Sequence, residues 1–432
     1  MTRRDMLSIA SGCISAMTVR ADVPADITLR ISELTLELSP GRFIKTTGYN
    51  GQAPGPLLRM QEGNSVIVDV VNETKEHEMV HWHGFHIPPE VDGAHEEGTP
   101  PVMAGEQRRY ILTPSPSGTR WYHSHGPAGR NLRKTTYSGQ FGMVLVNPAS
   151  DPARYDLEVP ILLHEWEPYF DQDMDVAYKL FSINGKVLGA GEPISVHRGQ
   201  RVLFRILNAS ATMTHRLSLA GHQFRVVALD GNMVPSPQTV PVVELGPAER
   251  VDAIVTMDRS GIWVLGETRN AQRIAGMGIV VEYADQHGLP KWAFPEQFVW
   301  DYTLFGGSEQ HSKPDCNFPL TIRAGNGNKW TVNGKAFPHT TPLIVSANQR
   351  CRIAFDNQSS EAHPMHVHRH NFEINRFVDK ATSGVFKDTV VVPAWRTVEV
   401  DLIASHPGAT LIHCHQQYHM DFGLMLMMQY AG

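Results

Sequence analysis

The sequence predicts an all-β protein of three consecutive antiparallel domains, each a sandwich or Greek-key barrel, near residues 24–148, 149–284 and 285–432. One phrase is written three times: an Asn-Gly turn, a short apolar run, a polar step, an alternating strand and a closing asparagine. The copies run Asn50 to Asn72, Asn184 to Asn208 and Asn333 to Asn357, spans of 22, 24 and 24 residues. Their strands alternate with period two, as in Ser65-Val66-Ile67-Val68-Asp69-Val70-Val71 and Arg201-Val202-Leu203-Phe204-Arg205-Ile206-Leu207. Turn residues recur, with 36 glycines and 29 prolines, and no long helical period competes.

Length agrees, since 432 residues at roughly 150 per domain is about three domains. With 41% hydrophobic and 19% charged residues the composition is globular. A net charge of -6 gives no footprint for a nucleic-acid partner. No run approaches the ~18 apolar residues of a membrane span. The chain opens Thr2-Arg3-Arg4-Asp5-Met6-Leu7 before a weakly apolar stretch, which resembles a twin-arginine export signal. Residues 1–23 are therefore set apart from the fold, and a periplasmic or secreted protein is expected. The four cysteines are too few and scattered for a disulfide framework, and nothing in the spacing of Cys316 and Cys351 requires them to pair.

The 22 histidines fall in tight clusters. Nine and eleven residues past Asn72 stand His81 and His83; the same offsets past Asn357 give His366 and His368. Past Asn208 they give Leu217 and Leu219, so plain core is expected where the outer copies carry His-x-His. A second pair closes each outer domain, His123/His125 after Gly118 and His413/His415 after Gly408, while Gly261–Gly266 has none. On a strand, residues i and i+2 face one way, so each pair projects two imidazoles together. Eight imidazoles exceed the four ligands typical of zinc and suit several metals held between two domains. Imidazole alone does not name the metal.

Cys414 narrows it. Lying between His413 and His415, its sulfur is expected on the opposite face from theirs. His363 precedes His366 and His368 by odd offsets and so faces away from them, and His419 can return to the sulfur past a turn. His363, Cys414 and His419 form the trigonal His₂Cys set of a blue-copper electron-transfer centre.

These segments resemble those of three-domain multicopper oxidases of the laccase and bacterial copper-efflux-oxidase kind. All four signatures are present: His81-Trp82-His83-Gly84, Trp121-Tyr122-His123-Ser124-His125-Gly126, His363-Pro364-Met365-His366-Val367-His368, and His413-Cys414-His415 with His419 and Gly423. The likeness includes a ligand-free middle domain with Leu245-Gly246-Pro247-Ala248-Glu249-Arg250. It implies cupredoxin-like domains and four copper ions. His363, Cys414 and His419 would hold type 1 copper, and His81 and His366 type 2. His83, His123, His125, His368, His413 and His415 would hold the binuclear type 3 pair. Four one-electron oxidations of a donor would then reduce dioxygen to water, with His413, Cys414 and His415 as the link.

The family's axial position falls at Leu424, after Gly423, where a non-coordinating side chain implies a higher potential than methionine would give. Glu90-Val91-Asp92-Gly93 resembles the segment supplying a proton-relay aspartate, so Asp92 is the candidate. Many bacterial relatives carry a second relay glutamate right after the last type 1 histidine; Met420 stands there, with Asp421 next. Arg369 replaces a usual glycine without explanation from sequence. His77, His86, His95, His164, His197, His215, His222, His287, His311, His339, His370 and His406 match no ligand position and read as surface or hydrogen-bonded groups.

The resemblance implies a laccase-like oxidase of phenolic or aromatic-amine donors, with a Cu(I) oxidase serving copper tolerance as the alternative. Dispersed methionines and Leu424 favour the first; the Asp92 segment and the export signal favour the second.

Overall fold

The computed structural model describes residues 23–148, 154–308, 312–325 and 329–431. The expected export signal, apart from Val23, lies outside them. Among them no helix is long and apolar enough to cross a membrane.

Six sheets follow one another along the chain as three pairs. In the first, the sheet of Ile27–Ser39, Arg42–Tyr49, Val66–Asn72 and Gln107–Leu112 faces that of Leu58–Gln61, Val80–His83, Gly118–Ser124 and Phe141–Asn147. Leu29, Ile31, Val68 and Tyr110 from one meet Val80, Trp82, Tyr122 and Val144 from the other in a shared core. Two six-to-seven-stranded sheets, each with a five-stranded partner, repeat the arrangement over 157–283 and 316–430. These are three consecutive β-sandwich domains, as the sequence predicts, of the cupredoxin-like kind that the family resemblance implies.

The repeated phrase has a structural cause in each copy. Asn50-Gly51, Asn184-Gly185 and Asn333-Gly334 all take positive φ at both residues, the type I′ geometry whose twist suits a tight hairpin. The strand that follows pairs in parallel with the domain's opening strand, Ile27↔Val68, Leu157↔Val202 and Cys316↔Cys351. That register sets Cys316 and Cys351 side by side, and they form a disulfide. The bond answers what the spacing left open: 35 residues of separation conceal a direct cross-strand contact.

The closing asparagines Asn72, Asn208 and Asn357 each donate their amide to a nearby carbonyl and to one across the sheet, at Val102, Leu245 and Val392, with Pro393 as a further acceptor for Asn357. The nearer carbonyl belongs to Glu76 and Glu361 in the outer copies, four residues on, but to Met213, five on, in the middle one. The middle copy therefore carries one extra residue, and counting from asparagines misaligns it. By register, Ser218 opposite Gly266 matches His81 opposite His123 and His366 opposite His413. Ser218 and Ala220, not Leu217 and Leu219, occupy the places of the outer His-x-His pairs.

Candidate metal centre

Val80–His83 pairs with Gly118–Ser124 in the first domain, and His363–Val367 with Thr410–Cys414 in the third. His81 lies opposite His123, and His366 opposite His413. The two ribbons meet face to face. His83 stacks on His366 with centroids 3.8 Å apart, and His81 on His368 at 4.0 Å. His125, His368 and His413 offer ring nitrogens within 4.8 Å of one another, as do His81, His83 and His123, and His81, His366 and His368.

Most of these rings are tethered at one nitrogen. His123 and His413 donate Nδ1–H to the carbonyls of Ser124 and Cys414. His81 Nδ1 donates to the carbonyl of Asp92 and His366 Nδ1 to that of Asp388, both at 2.8 Å. His368 Nδ1 donates to Asp92 Oδ2 at 2.9 Å. His83 is turned round: Nε2 donates to Asp388 Oδ1 at 3.0 Å. The opposite nitrogens, Nε2 of His81, His123, His125 and His366, Nδ1 of His83 and both of His415, are buried without hydrogen-bond partners among the described residues. So many orphaned lone pairs converging on one buried space cost several kcal/mol unless a cation takes them. Burial holds the imidazoles of His83, His123, His125, His366, His368 and His415 well below the usual range, and His413 at about 4. Neutral rings are the form that binds metal.

On the other side of the last ribbon, Cys414 Sγ lies 3.7 Å from His363 Nδ1 and 3.5 Å from His419 Nδ1, which are 3.0 Å apart. His363 Nε2 meets Ser359 Oγ at 2.9 Å, and His419 Nε2 donates to Glu361 Oε2 at 3.0 Å. These outer partners aim both Nδ1 atoms at the sulfur. Burial pushes the Cys414 thiol up, so a thiolate forms here only with a cation in the triangle. A soft, planar His₂Cys donor set fits copper. Leu424 is fully buried and its carbonyl accepts the Cys414 N–H. Met425 pairs with His413, which leaves Leu424 on the sulfur's face.

Every sequence-derived ligand candidate is brought into one of these two groups. Arg369 now has an account: at φ 56 it needs the left-handed backbone that glycine adopts freely. Its buried guanidinium donates to the carbonyls of Gly408 and Ala409 and to Thr410 Oγ1. His370, expected as a surface or hydrogen-bonded group, is buried and donates Nδ1–H to the carbonyl of His368. Asp421 accepts the N–H groups of Ala128 and Gly129 and the Gln417 amide, and burial raises it to about 7.

Sequence reasoning missed Glu97, Asp388 and Glu361. Glu97 is buried against the Asp92 carboxyl; burial first and Asp92 second push it well above the carboxylate range. A His-Glu-Glu run gave no hint of this. Asp388 mirrors Asp92, but lies 22 residues from His366 where Asp92 lies 11 from His81, so no shared offset marks it.

The chain belongs to the multicopper oxidase family. Family models described as multicopper oxidase match residues 31–151, 158–277 and 311–431. It is similar to multicopper oxidase MmcO of Mycobacterium tuberculosis, 28% identical over 90% of this chain and 84% of that protein. Laccase-15 of Oryza sativa subsp. japonica is 33% identical over 49% of this chain and 38% of its own length. Among solved structures, the fold matches Fet3p, a multicopper oxidase that functions in iron import, with TM-score 0.82, 18% identity and coverage of 94% and 90%. It also matches the laccase-like CueO of Ochrobactrum sp., with TM-score 0.77, 21% identity and coverage of 94% and 97%. The protein is an oxygen-using oxidoreductase with copper cofactors.

Proposed function

We propose that this enzyme is laccase-like, oxidising phenolic or aromatic-amine donors at a type 1 copper held by His363, Cys414 and His419. His81 and His366 would hold type 2 copper, and His83, His123, His125, His368, His413 and His415 the type 3 pair, four ions in all. Copper held by these residues would supply one-electron redox chemistry, by which four electrons from donor molecules and four protons would convert one dioxygen to two waters. The observation that carries this reading is the adjacency of the two groups. Cys414 faces the His₂Cys triangle, while its neighbours His413 and His415 face the imidazole cluster, so one run of backbone joins electron entry to oxygen reduction.

The chain's own groups supply the rest. Asp92 Oδ2 orients His368, and burial together with the neighbouring Asp92 carboxyl holds Glu97 well above the carboxylate range, so Glu97 keeps its proton next to Asp92. Asp92 is thus the group that delivers protons at the cluster. Leu424 covers the sulfur's face with hydrocarbon in place of a weak donor and favours a high potential. We place the domain boundaries near 148/149 and 284/285. A periplasmic or secreted location after export is supported by Arg3-Arg4 and by the disulfide, a bond of oxidising compartments.

One observation favours the second reading, a Cu(I) oxidase. Glu361, on the outer nitrogen of His419, is 45% exposed and acts on Asp175, which also feels Asp171 and Asp173, a charge pattern suited to cations. Steady-state rates with a substituted phenol and with Cu(I), each followed by oxygen uptake, decide between them. Phenol turnover is expected; Cu(I) oxidation without phenol turnover overturns the laccase reading.

A further inference from the structure

The middle domain supplies none of the proposed ligands, yet its Leu245-Gly246-Pro247-Ala248-Glu249-Arg250 segment ends on a fully buried arginine beside the imidazole cluster. All five N–H groups of Arg250 are used, and they reach into all three domains. Nε donates to the Thr119 carbonyl of the first, at 3.2 Å. Nη1 and Nη2 donate to the Ala248 and Asp230 carbonyls of the middle one, both at 3.1 Å. The remaining two form a bidentate pair with Asp388 of the third, at 2.7 and 2.5 Å.

Asp388 in turn holds two of the proposed ligands. Its Oδ1 accepts from His83 Nε2, which fixes the ring's proton there and leaves Nδ1 directed inward. Its carbonyl accepts from His366 Nδ1. The backbone of 388 and 389 is itself pinned, as both N–H groups donate to Asp230 Oδ2 of the middle domain. Gly84, right after His83, belongs to the same construction: a Cβ there would stand 2.8 Å from both Arg250 Nη2 and Asp388 Oδ2.

We infer that Arg250 is a positioning residue for the oxygen-reducing centre, acting through Asp388 to orient His83 and His366, so that the ligand-free domain sets the geometry of a site it does not ligate. Its planar fork fits the carboxylate at two points, and a lysine, one point charge on a flexible stem, does not. Without that fork, Asp388 keeps only the Thr389 hydroxyl on Oδ1 and the more distant Arg120, at 3.8 Å from Oδ2, and a carboxylate held at fewer points turns more easily from His83. Asp92 holds the matching histidines, His81 and His368, through its own carbonyl and carboxylate and has no contact with Arg250. The inference rests on the ligand assignment proposed above.

The test compares copper-loaded wild type, Arg250→Lys, Arg250→Met and, as control, Arg205→Met. Arg205 is another interdomain arginine, bonded to Asp252 and Thr119 and touching no histidine. Copper per protein, the blue type 1 absorption, the type 2 electron paramagnetic resonance signal and Tm are read together. Both Arg250 variants are expected to keep the blue band and to lose affinity for cluster copper by roughly 10–100-fold, with an altered type 2 signal. Arg205→Met is expected to lower Tm and leave that signal unchanged. If Arg250→Met does not fold, Arg250→Lys, which keeps the buried charge paired, decides. A wild-type cluster signal in every folded Arg250 variant overturns the inference, as does loss of the blue band in step with the cluster. A wild type that binds no cluster copper would instead overturn the ligand assignment.

Discussion

Asp92 and Asp388 stand in matching places, each giving its carbonyl to a histidine of its own domain and its carboxylate to one of the other. Their neighbours separate them. Asp388 faces the Arg250 guanidinium, while Asp92 faces the carboxyl of Glu97, held high by burial and by Asp92 itself. Of the two equivalent positions, only the first-domain one has a second carboxyl beside it, that of Glu97, which burial and Asp92 hold well above the carboxylate range; this is what singles out Asp92 as the proposed proton donor. Asp92→Asn preserves the size and most hydrogen bonds of the side chain but cannot cycle a proton. It should retain the blue band and its reduction by donor, while reoxidation by oxygen slows by roughly 100-fold or more. Stopped-flow spectroscopy of the two half-reactions separates these effects; an unchanged reoxidation rate would remove Asp92 from the proton path.

At the scale of the strand, parity puts Cys414 and its flanking histidines to opposite uses, and register gives the middle domain a counterpart of the same site. By spacing and by matching backbone bonds, His215, Glu267, Gln272 and Met277 fall where the third domain has His363, Cys414, His419 and Leu424. A carboxylate replaces the thiol, so the position holds an ion pair in place of a soft metal site. His215 bonds Glu267 through Nδ1 at 3.0 Å and Glu165 through Nε2. Burial alone would lower His215, but Glu165 and then Glu267 overcome it and hold the imidazolium above its usual range. Burial alone would raise Glu267, but His215 and Arg269 pull it to about 2. The raised histidine stabilises fully below its unfolded pKa and loses that contribution as pH rises through its folded one; the depressed carboxylate stabilises above its unfolded pKa and loses its contribution as pH falls toward about 2. The Tm gap between wild type and His215→Gln should therefore be widest between about pH 4.5 and 6.5 and shrink above neutrality. Thermal melts across pH check this, and a gap that widens on the alkaline side would contradict it.

Across the whole molecule, the proposed metal ligands come from the first and third domains, while buried charges of the middle one lock those domains together. Lys387 of the third domain is bound by Asp230 and Glu249 of the middle one, at 3.0 and 3.1 Å, next to the Arg250 bridge. Removing one partner of such a pair leaves a buried charge uncompensated, which is why these contacts hold the domains in one arrangement. The Cys316–Cys351 bond acts within one domain instead, closing a 35-residue loop between neighbouring strands. The double variant Cys316→Ser, Cys351→Ser should lose about 2–4 kcal/mol of stability with its blue band intact. Denaturant unfolding measures the first and visible absorption the second.

What the sequence determined by itself is what depends on short-range periodicity. Alternation along strands, Asn-Gly at type I′ turns and His-x-His or His-Cys-His spacing specify the all-β class, the threefold repeat and which way each imidazole or thiol faces. The tertiary structure alone decided what depends on register between distant segments. One extra residue after Asn208 moved the middle-domain equivalences from Leu217 and Leu219 to Ser218 and Ala220. A parallel pairing made the disulfide, and packing of three domains brought Glu97 to Asp92 and Arg250 to Asp388. Such contacts carry no fixed offset along the chain, because buried charges are matched by position in space and the loops between them vary freely in length.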